Sequence, residues 1–160
     1  MSVARHKPDA DCRKNIAIRV IDDKMHPACG QRGLFAARKL PPHSYIIDYI
    51  GEVHTDTMLS QTSDYTLTFR DGLSIDGERA GNEARFVNDY RGVAERANVE
   101  FSFRDDSRTA MGFRVLGREI AKGEELLVSY GKGFWAARGL LHARAETYSG
   151  EWDRRNENED

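Results

Sequence analysis

The amino-acid sequence predicts a mostly β domain followed by a C-terminal helix. Three observations predict it. Short runs of β-branched and aromatic residues recur along the chain, each bounded by Gly, Pro, Asn or Asp. Several of these runs alternate with a period of two. A segment rich in Ala, Leu and Arg occurs only after Gly133. Nothing repeats at a solenoid period, and 160 residues suffice for one domain with one substantial core.

The elements follow in order. Residues 1–13 are polar and charged, without the apolar stretch of a secretory signal, and are expected to form a flexible tail. Ile16 to Ile21 is a β-branched strand ended by Asp22-Asp23. Cys29-Gly30-Gln31-Arg32-Gly33 is a glycine-bracketed turn into the apolar Leu34-Phe35-Ala36, suited either to a plain hairpin or to close approach of a ligand. Lys39 to His43 is a proline-stiffened turn. Tyr45 to Ile50 reads as a strand, and Gly51 before Glu52-Val53 as a bend or close backbone contact. Residues 54–64 are polar, with room for a short helix around Thr57-Met58-Leu59. Tyr65 to Phe69 alternates, and Asp71-Gly72 turns it back into Leu73 to Asp76. Gly81 to Tyr90 is a polar loop rich in turn-forming residues. Asn98 to Phe103 sets Val99, Phe101 and Phe103 on one face, Met111 to Leu116 is a further strand, and Glu125 to Tyr130 is the last. The helical pattern starts at Phe134 and gives a C-terminal helix over 136–148; residues 149–160, polar and mostly acidic, are expected to be disordered.

Composition narrows the function. With 24 basic and 26 acidic residues the net charge is −2, which argues against a general nucleic-acid binder and suits a basic protein or peptide partner. No apolar run approaches membrane-spanning length. Two cysteines, Cys12 and Cys29, and five scattered histidines show no metal-ligand spacing, so no metal is expected. For a chain read as intracellular, free thiols are expected over a disulfide. No Ser-His-Asp or Gly-x-Ser-x-Gly arrangement supports a hydrolase.

Four segments in order carry a resemblance. Gly30-Gln31-Arg32-Gly33-Leu34-Phe35-Ala36 resembles a glycine-containing N-terminal motif, and Tyr49-Ile50-Gly51-Glu52 a Tyr-x-Gly motif. Arg85-Phe86-Val87-Asn88, preceded by Ile75-Asp76 and Gly81-Asn82, resembles the approach to an Asn-His-Ser-Cys signature, with Ala97-Asn98 in place of a later Pro-Asn. Gly123-Glu124-Glu125-Leu126-Leu127-Val128-Ser129-Tyr130-Gly131 resembles a closing Gly-Glu-Glu-Leu motif. Each is unspecific alone; together they make the chain resemble the SET domain of protein lysine methyltransferases, over about Ile16 to Trp135 within a domain spanning 14–135. The chain departs from the pattern at Asp89-Tyr90 (for His-Ser), Ala97 (for Pro) and Ser129 (for Asp). The cysteine clusters that flank many relatives are absent from this sequence, so it resembles a minimal form.

The resemblance implies a fold of several small sheets with a threaded C-terminal segment, an exception to unthreaded connections. It implies S-adenosyl-L-methionine as cofactor, with Tyr130 and Tyr49 as catalytic residues. Arg32, Gly33 and Leu34 would approach the cofactor through main-chain groups, Asn88 through its side chain and Asp89 through its backbone. Phe134 and Trp135 would cover it by stacking. Tyr65, Phe101 and Val128 would line a substrate channel. Valine at 128, where relatives carry Phe or Tyr, suggests room for higher methylation states, or simply a core residue. Asp76 and Arg85 are expected to be structural. The implied substrate is a basic peptide such as a histone tail, which favours the nucleus over the cytoplasm as location and a role at chromatin. The alternative is a catalytically silent SET-like module that binds a partner. Oligomeric state stays open.

Overall fold

Turn residues and β-branched runs alternate so closely that no strand of the structure exceeds five residues among those described. The structure is a computed structural model and describes residues 10–55, 63–70 and 72–137. The chain divides into two compact units, Met1–Val128 and Ser129–Asp160.

In the first unit a single turn of helix, α1 (Ala10–Arg13), precedes ten strands: β1 (Ile16–Val20), β2 (Arg32–Ala36), β3 (Tyr45–Asp48), β4 (Glu52–Thr55), β5 (Thr66–Arg70), β6 (Leu73–Asp76), β7 (Asn88–Asp89), β8 (Val99–Phe103), β9 (Met111–Val115) and β10 (Leu127–Val128). They form four small sheets, ordered β1-β2, β3-β9-β8, β4-β6-β5 and β7-β10. The first three are antiparallel; β7 and β10 run parallel, with Leu127 opposite Asn88 and Val128 opposite Asp89. Leu34, Ile46, Ile47, Phe113, Ile120 and Leu126 supply the largest fully buried side chains.

Several expectations are refined. The end of the stretch read as a tail is helical at Ala10–Arg13, where Arg13 Nε pairs with Glu83 at 3.2 Å. The strand from Tyr45 stops at Asp48, and residues beyond Gly51 join a different sheet. Gly51 lies with its backbone so close to the Asp76 carbonyl that a Cβ would overlap it, which explains the change of direction. Inside the polar loop, Glu83–Phe86 forms a 3-10 turn. The expected strand from Glu125 to Tyr130 is reduced to Leu127–Val128, because the residues before it bond elsewhere. The short helix around residues 57–59, the acidic tail and all but the start of the C-terminal helix lie outside the described residues.

Residues 124–128 organise the unit. On one side Ala36 N–H donates to the Glu124 carbonyl (2.9 Å) and Leu126 N–H to the Leu34 carbonyl (2.8 Å). On the other side the segment pairs with β7, and Asn98 binds it three times. Asn98 N–H donates to the Leu127 carbonyl (2.9 Å), its Nδ2 to the Glu125 carbonyl (2.7 Å), and its Oδ1 accepts from Leu127 N–H (2.8 Å). A late segment is thus inserted between two earlier ones, β2 and 88–98. Asn98 serves as a substitute strand there: its side-chain amide donates one bond and accepts one from the segment's backbone, as a peptide group does.

Candidate functional site

In the first unit the predicted cofactor residues converge where β2 faces β7. Asn88 Nδ2 donates to Glu125 Oε1 at 2.9 Å and makes a longer contact of 3.4 Å to the Arg32 carbonyl. Both partners are acceptors only, so the amide must present its NH2 to them, and its Oδ1 is turned to the other side. The second oxygen of Glu125 is bound as well: Oε2 lies 3.0 Å from His26 Nε2. His26 Nδ1 accepts from Ala28 N–H at 2.9 Å, so the ring proton sits on Nε2 and is donated to the carboxylate. The side chains of His26 and Glu125 are only 6% and 10% exposed, so this pairing is shielded from water. Gly33 makes room for it, since a Cβ there would lie 2.8 Å from Glu125 Oε1.

The other residues of this group differ in what they offer. Leu34 is fully buried and its carbonyl is taken by Leu126. Asp89 is buried, and its carboxylate accepts from Arg91 N–H (2.8 Å) and pairs with Arg91 Nη1 (2.9 Å). Its side chain thus holds its own turn, in keeping with a role expected of its backbone alone. Val128 is buried beside it in the β7–β10 pair.

The channel candidates form a second group. Tyr49 O–H donates to the Tyr65 carbonyl at 2.7 Å, while its ring meets Phe113 edge-on (6.3 Å between centroids). Phe101 packs on the same Phe113 at 4.8 Å. Burial, reinforced by Asp76 and Tyr65 and opposed by Arg85, pushes the Tyr49 hydroxyl well above the ordinary tyrosine range. It is therefore a neutral hydroxyl whose proton is committed and whose lone pairs remain acceptors. Arg85 links the two groups. Its guanidinium lies 6.0 Å from the Tyr65 ring and 4.9 Å from Phe86, while Arg32, on β2, lies 5.7 Å from Phe86. Arg85 Nη1 also donates to the Gly77 and Glu78 carbonyls, and Asp76 accepts from Ser63 (2.7 Å) and Glu78 N–H (2.9 Å), so both residues hold the framework.

In the second unit Tyr130 lies among aromatics. Its ring centroid is 4.7 Å from Phe134 and 6.4 Å from Trp135, and Phe134 and Trp135 are 5.2 Å apart at 79°. Phe134 and Trp135 belong to the helix α2 (Lys132–Ala137), which overlaps the helix expected over 136–148 only at its first two residues, the rest of that range lying outside the described residues. Ser129 Oγ accepts from Gly131 N–H at 3.3 Å, closing the turn that precedes it.

Two residues of the site were not singled out from the sequence. His26 was one of five histidines without ligand spacing, and its partner lies 99 residues away. Glu125 stood inside the closing motif, with a polar residue between Glu124 and Leu126 as its only local signal. Among the described residues no group of three or more His, Cys, Asp and Glu could hold a metal ion, no disulfide joins Cys12 and Cys29, and no helix is long and apolar enough to cross a membrane.

Comparison with known proteins shows the family of the chain. The SET domain family model matches residues 31–131, and the chain belongs to that family. Histone-lysine N-methyltransferase ash1 of Drosophila melanogaster is 33% identical over 110 residues, covering 62% of this chain and 5% of that protein. Histone-lysine N-methyltransferase EHMT1 of Homo sapiens is 27% identical over 115 residues, covering 68% of this chain and 9% of that protein. The chain therefore spans less than a tenth of the length of either relative.

Proposed function

We propose that this chain is an S-adenosyl-L-methionine-dependent protein-lysine N-methyltransferase acting on a basic peptide, with a histone tail as the first candidate and the nucleus as the expected location. The observation that carries the reading is the fixed amide of Asn88 beside the Arg32–Gly33 backbone, within the matched SET segment. An amino-acid moiety carries an ammonium group that needs acceptors. The Asn88 Oδ1 and the Arg32 carbonyl are of that kind, and this acceptor pair fits the amino-acid end of the cofactor. Phe134 and Trp135 supply apolar faces suited to an adenine. The cofactor, when bound, supplies a methyl group activated on a sulfonium.

The chain's own part is alignment and proton handling. A lysine amine, with a free pKa of about 10.4, must be neutral to form the N–C bond as the S–C bond breaks, and it then loses a proton to water. Hydroxyls that accept without carrying charge, as the neutral Tyr49 does, suit a site that must not stabilise a full ammonium. Tyr130 is assigned the aligning role at the amine, where positioning can lower the barrier by several kcal/mol, on the order of 7 or more. Tyr65, Phe101 and Val128 are assigned to the channel. Val128→Tyr, which places a larger side chain at that position, is expected to shift products toward monomethyl-lysine.

Calorimetry with S-adenosyl-L-methionine, and labelled methyl transfer onto core histones, test the reading. Tyr130→Phe is expected to bind cofactor near normally and to lose at least 100-fold in transfer, roughly the contribution of one positioned group. Equal turnover in the variant would refute the role of Tyr130, and absence of cofactor binding would refute the enzyme. A silent partner-binding module is the second reading, favoured by the replacements at Asp89, Ala97 and Ser129. The local use of the Asp89 and Ser129 side chains weakens it, since neither replacement leaves an unpaired group behind.

A further inference from the structure

We propose that His26 is a positioning residue for the cofactor site, acting at a distance through Glu125 to fix which way the Asn88 amide faces. The inference rests on the cofactor reading above for its purpose, and on the geometry alone for its mechanism. Three side chains from three remote parts of the chain form one line: His26 Nε2 to Glu125 Oε2 at 3.0 Å, then Glu125 Oε1 to Asn88 Nδ2 at 2.9 Å. Each end of the line is polarised by the main chain. Ala28 N–H occupies His26 Nδ1, so the imidazole can only donate at Nε2. The Arg32 carbonyl flanks Asn88 Nδ2, so the amide can only donate there. Glu125 stands between two donors and satisfies both only as a carboxylate.

The loop that carries His26 is built to hold it. Residues 22–30 are closed by Ile21 N–H to the Gln31 carbonyl and Gly30 N–H to the Ile21 carbonyl, both 2.8 Å. Gly30 takes the left-handed φ of 84° that this closure needs. His26 N–H donates to the Asp23 carbonyl (3.1 Å), and Cys29 N–H returns to the His26 carbonyl (3.0 Å). Its neighbour Met25 is 86% exposed while His26 is 8% exposed, so the loop turns one residue out and the next one in. Without His26, Glu125 would keep one donor only and be free to swing, and the Asn88 amide would lose its reason to keep Oδ1 outward.

The test combines cofactor affinity with spectroscopy of the apo protein. In the wild type, nitrogen NMR is expected to show His26 as the Nε2-protonated tautomer, coupled through space to the Asn88 side-chain amide. His26→Gln keeps a donor where Nε2 lies and is expected to hold S-adenosyl-L-methionine within about threefold of the wild-type Kd. His26→Phe keeps the volume without the donor and is expected to weaken binding roughly tenfold, the scale of one hydrogen bond to a charged group. Glu125→Gln, which keeps the shape, cannot accept from both neighbours. Either His26 must switch to the Nδ1-protonated tautomer and give up Ala28, or the Asn88 amide must flip. One of these spectral changes is expected, with at least tenfold weaker binding. Thermal melts confirm that each variant is folded; if His26→Phe is not, Glu125→Gln and the wild-type spectra decide. Equal affinity in folded His26→Phe, or unchanged His26 and Asn88 signals in Glu125→Gln, would overturn the proposal. A wild type that binds no cofactor would overturn the cofactor reading and the purpose assigned to the line, while the spectra still decide whether the line exists.

Discussion

Replacing Gly33 by alanine separates two roles that one glycine can have. Its φ is not in the left-handed region, so the backbone itself accepts alanine. The obstacle is the side chain opposite: the new Cβ would lie 2.8 Å from Glu125 Oε1, 3.0 Å from the Phe35 ring and 3.2 Å from Ile21 Cδ1. A lone carboxylate would move aside at little cost. This one is held by His26 and Asn88 at 3.0 and 2.9 Å. Reaching ordinary contact needs a shift of roughly 0.5 Å, which lengthens one or both bonds. Hydrogen bonds to a charged group contribute about 1.5–3 kcal/mol each, so partial loss costs about 2 kcal/mol. Alanine offsets roughly 0.5–1 kcal/mol by restricting the unfolded chain. The expected net loss is ~1–2 kcal/mol, or about 3–8 °C in Tm. Urea melts of Gly33→Ala alone, and in a Glu125→Ala background, measure it. The substitution is expected to cost at least 1 kcal/mol less once the carboxylate is gone, because the two sites touch. The same loss in both backgrounds would refute the reasoning and place the conflict with Phe35 and Ile21 instead.

Three further outcomes are expected. Gly112→Ala, in the central strand β9, would drive a Cβ into the Ile47 carbonyl and against the Tyr45 hydroxyl; since backbone must move, it is expected to cost 3 kcal/mol or more, roughly the upper range for overpacking, or to abolish soluble expression. Asn98→Ala removes both side-chain bonds to the closing segment and leaves the buried Leu127 N–H without its partner; melts should show a loss of about 2–4 kcal/mol, with Asn98→Asp recovering only part because its second oxygen would face the Glu125 carbonyl. At high pH, Tyr45 and Tyr49 are the groups to follow. Burial, and for Tyr45 the bond to Asp48, raise both hydroxyls above the free value of 10.0. A raised pKa stabilises the fold below the unfolded value and the contribution is lost as pH rises beyond it, so stability should decline above pH 10.0. Tyrosinate absorbance should show these two titrating only with unfolding, and titration of all six in a still-folded protein would contradict the assignment.

Much of the fold was legible because it is written locally. β2, β8 and β9 fall where apolar alternation and flanking turn residues put them, and Gly51 sits at a bend because only a residue without Cβ fits against the Asp76 carbonyl. The closing strand was read too long for a physical reason. Its strand-like run continues from Glu125 to Tyr130, yet its partners change from β2 to β7 partway, a fact that no local pattern contains. The site divides along the same line. Asn88, Gly33 and Arg32 belong to motifs and were readable by resemblance. His26 lies in a loop of ordinary composition and acquires meaning only from Glu125, 99 residues further on. A buried histidine and a largely shielded glutamate have no sequence signature as a pair; each looks like a surface residue until the fold brings them together.

The segment 124–128 ties stability to the candidate site. Its backbone is the seam between β2 and the 88–98 region, through Leu34, Ala36, Asn88 and Asn98. Its one inward charged side chain, Glu125, reaches back to His26 and Asn88. Alternation makes this possible: with Leu126 committed to the core, the neighbouring residue emerges on the opposite side, against Gly33. Loss of a seam bond at Asn98 should therefore loosen the Asn88 amide although Asn98 touches neither His26 nor the Glu125 carboxylate. Asn98→Ala should thus weaken S-adenosyl-L-methionine binding as well as stability. A surface change such as Lys39→Ala, at an exposed ion pair with Glu119, should leave both unchanged. Cofactor affinity that stays at the wild-type value in folded Asn98→Ala would show that the seam and the site are independent, and that Glu125 is held by its side-chain partners alone.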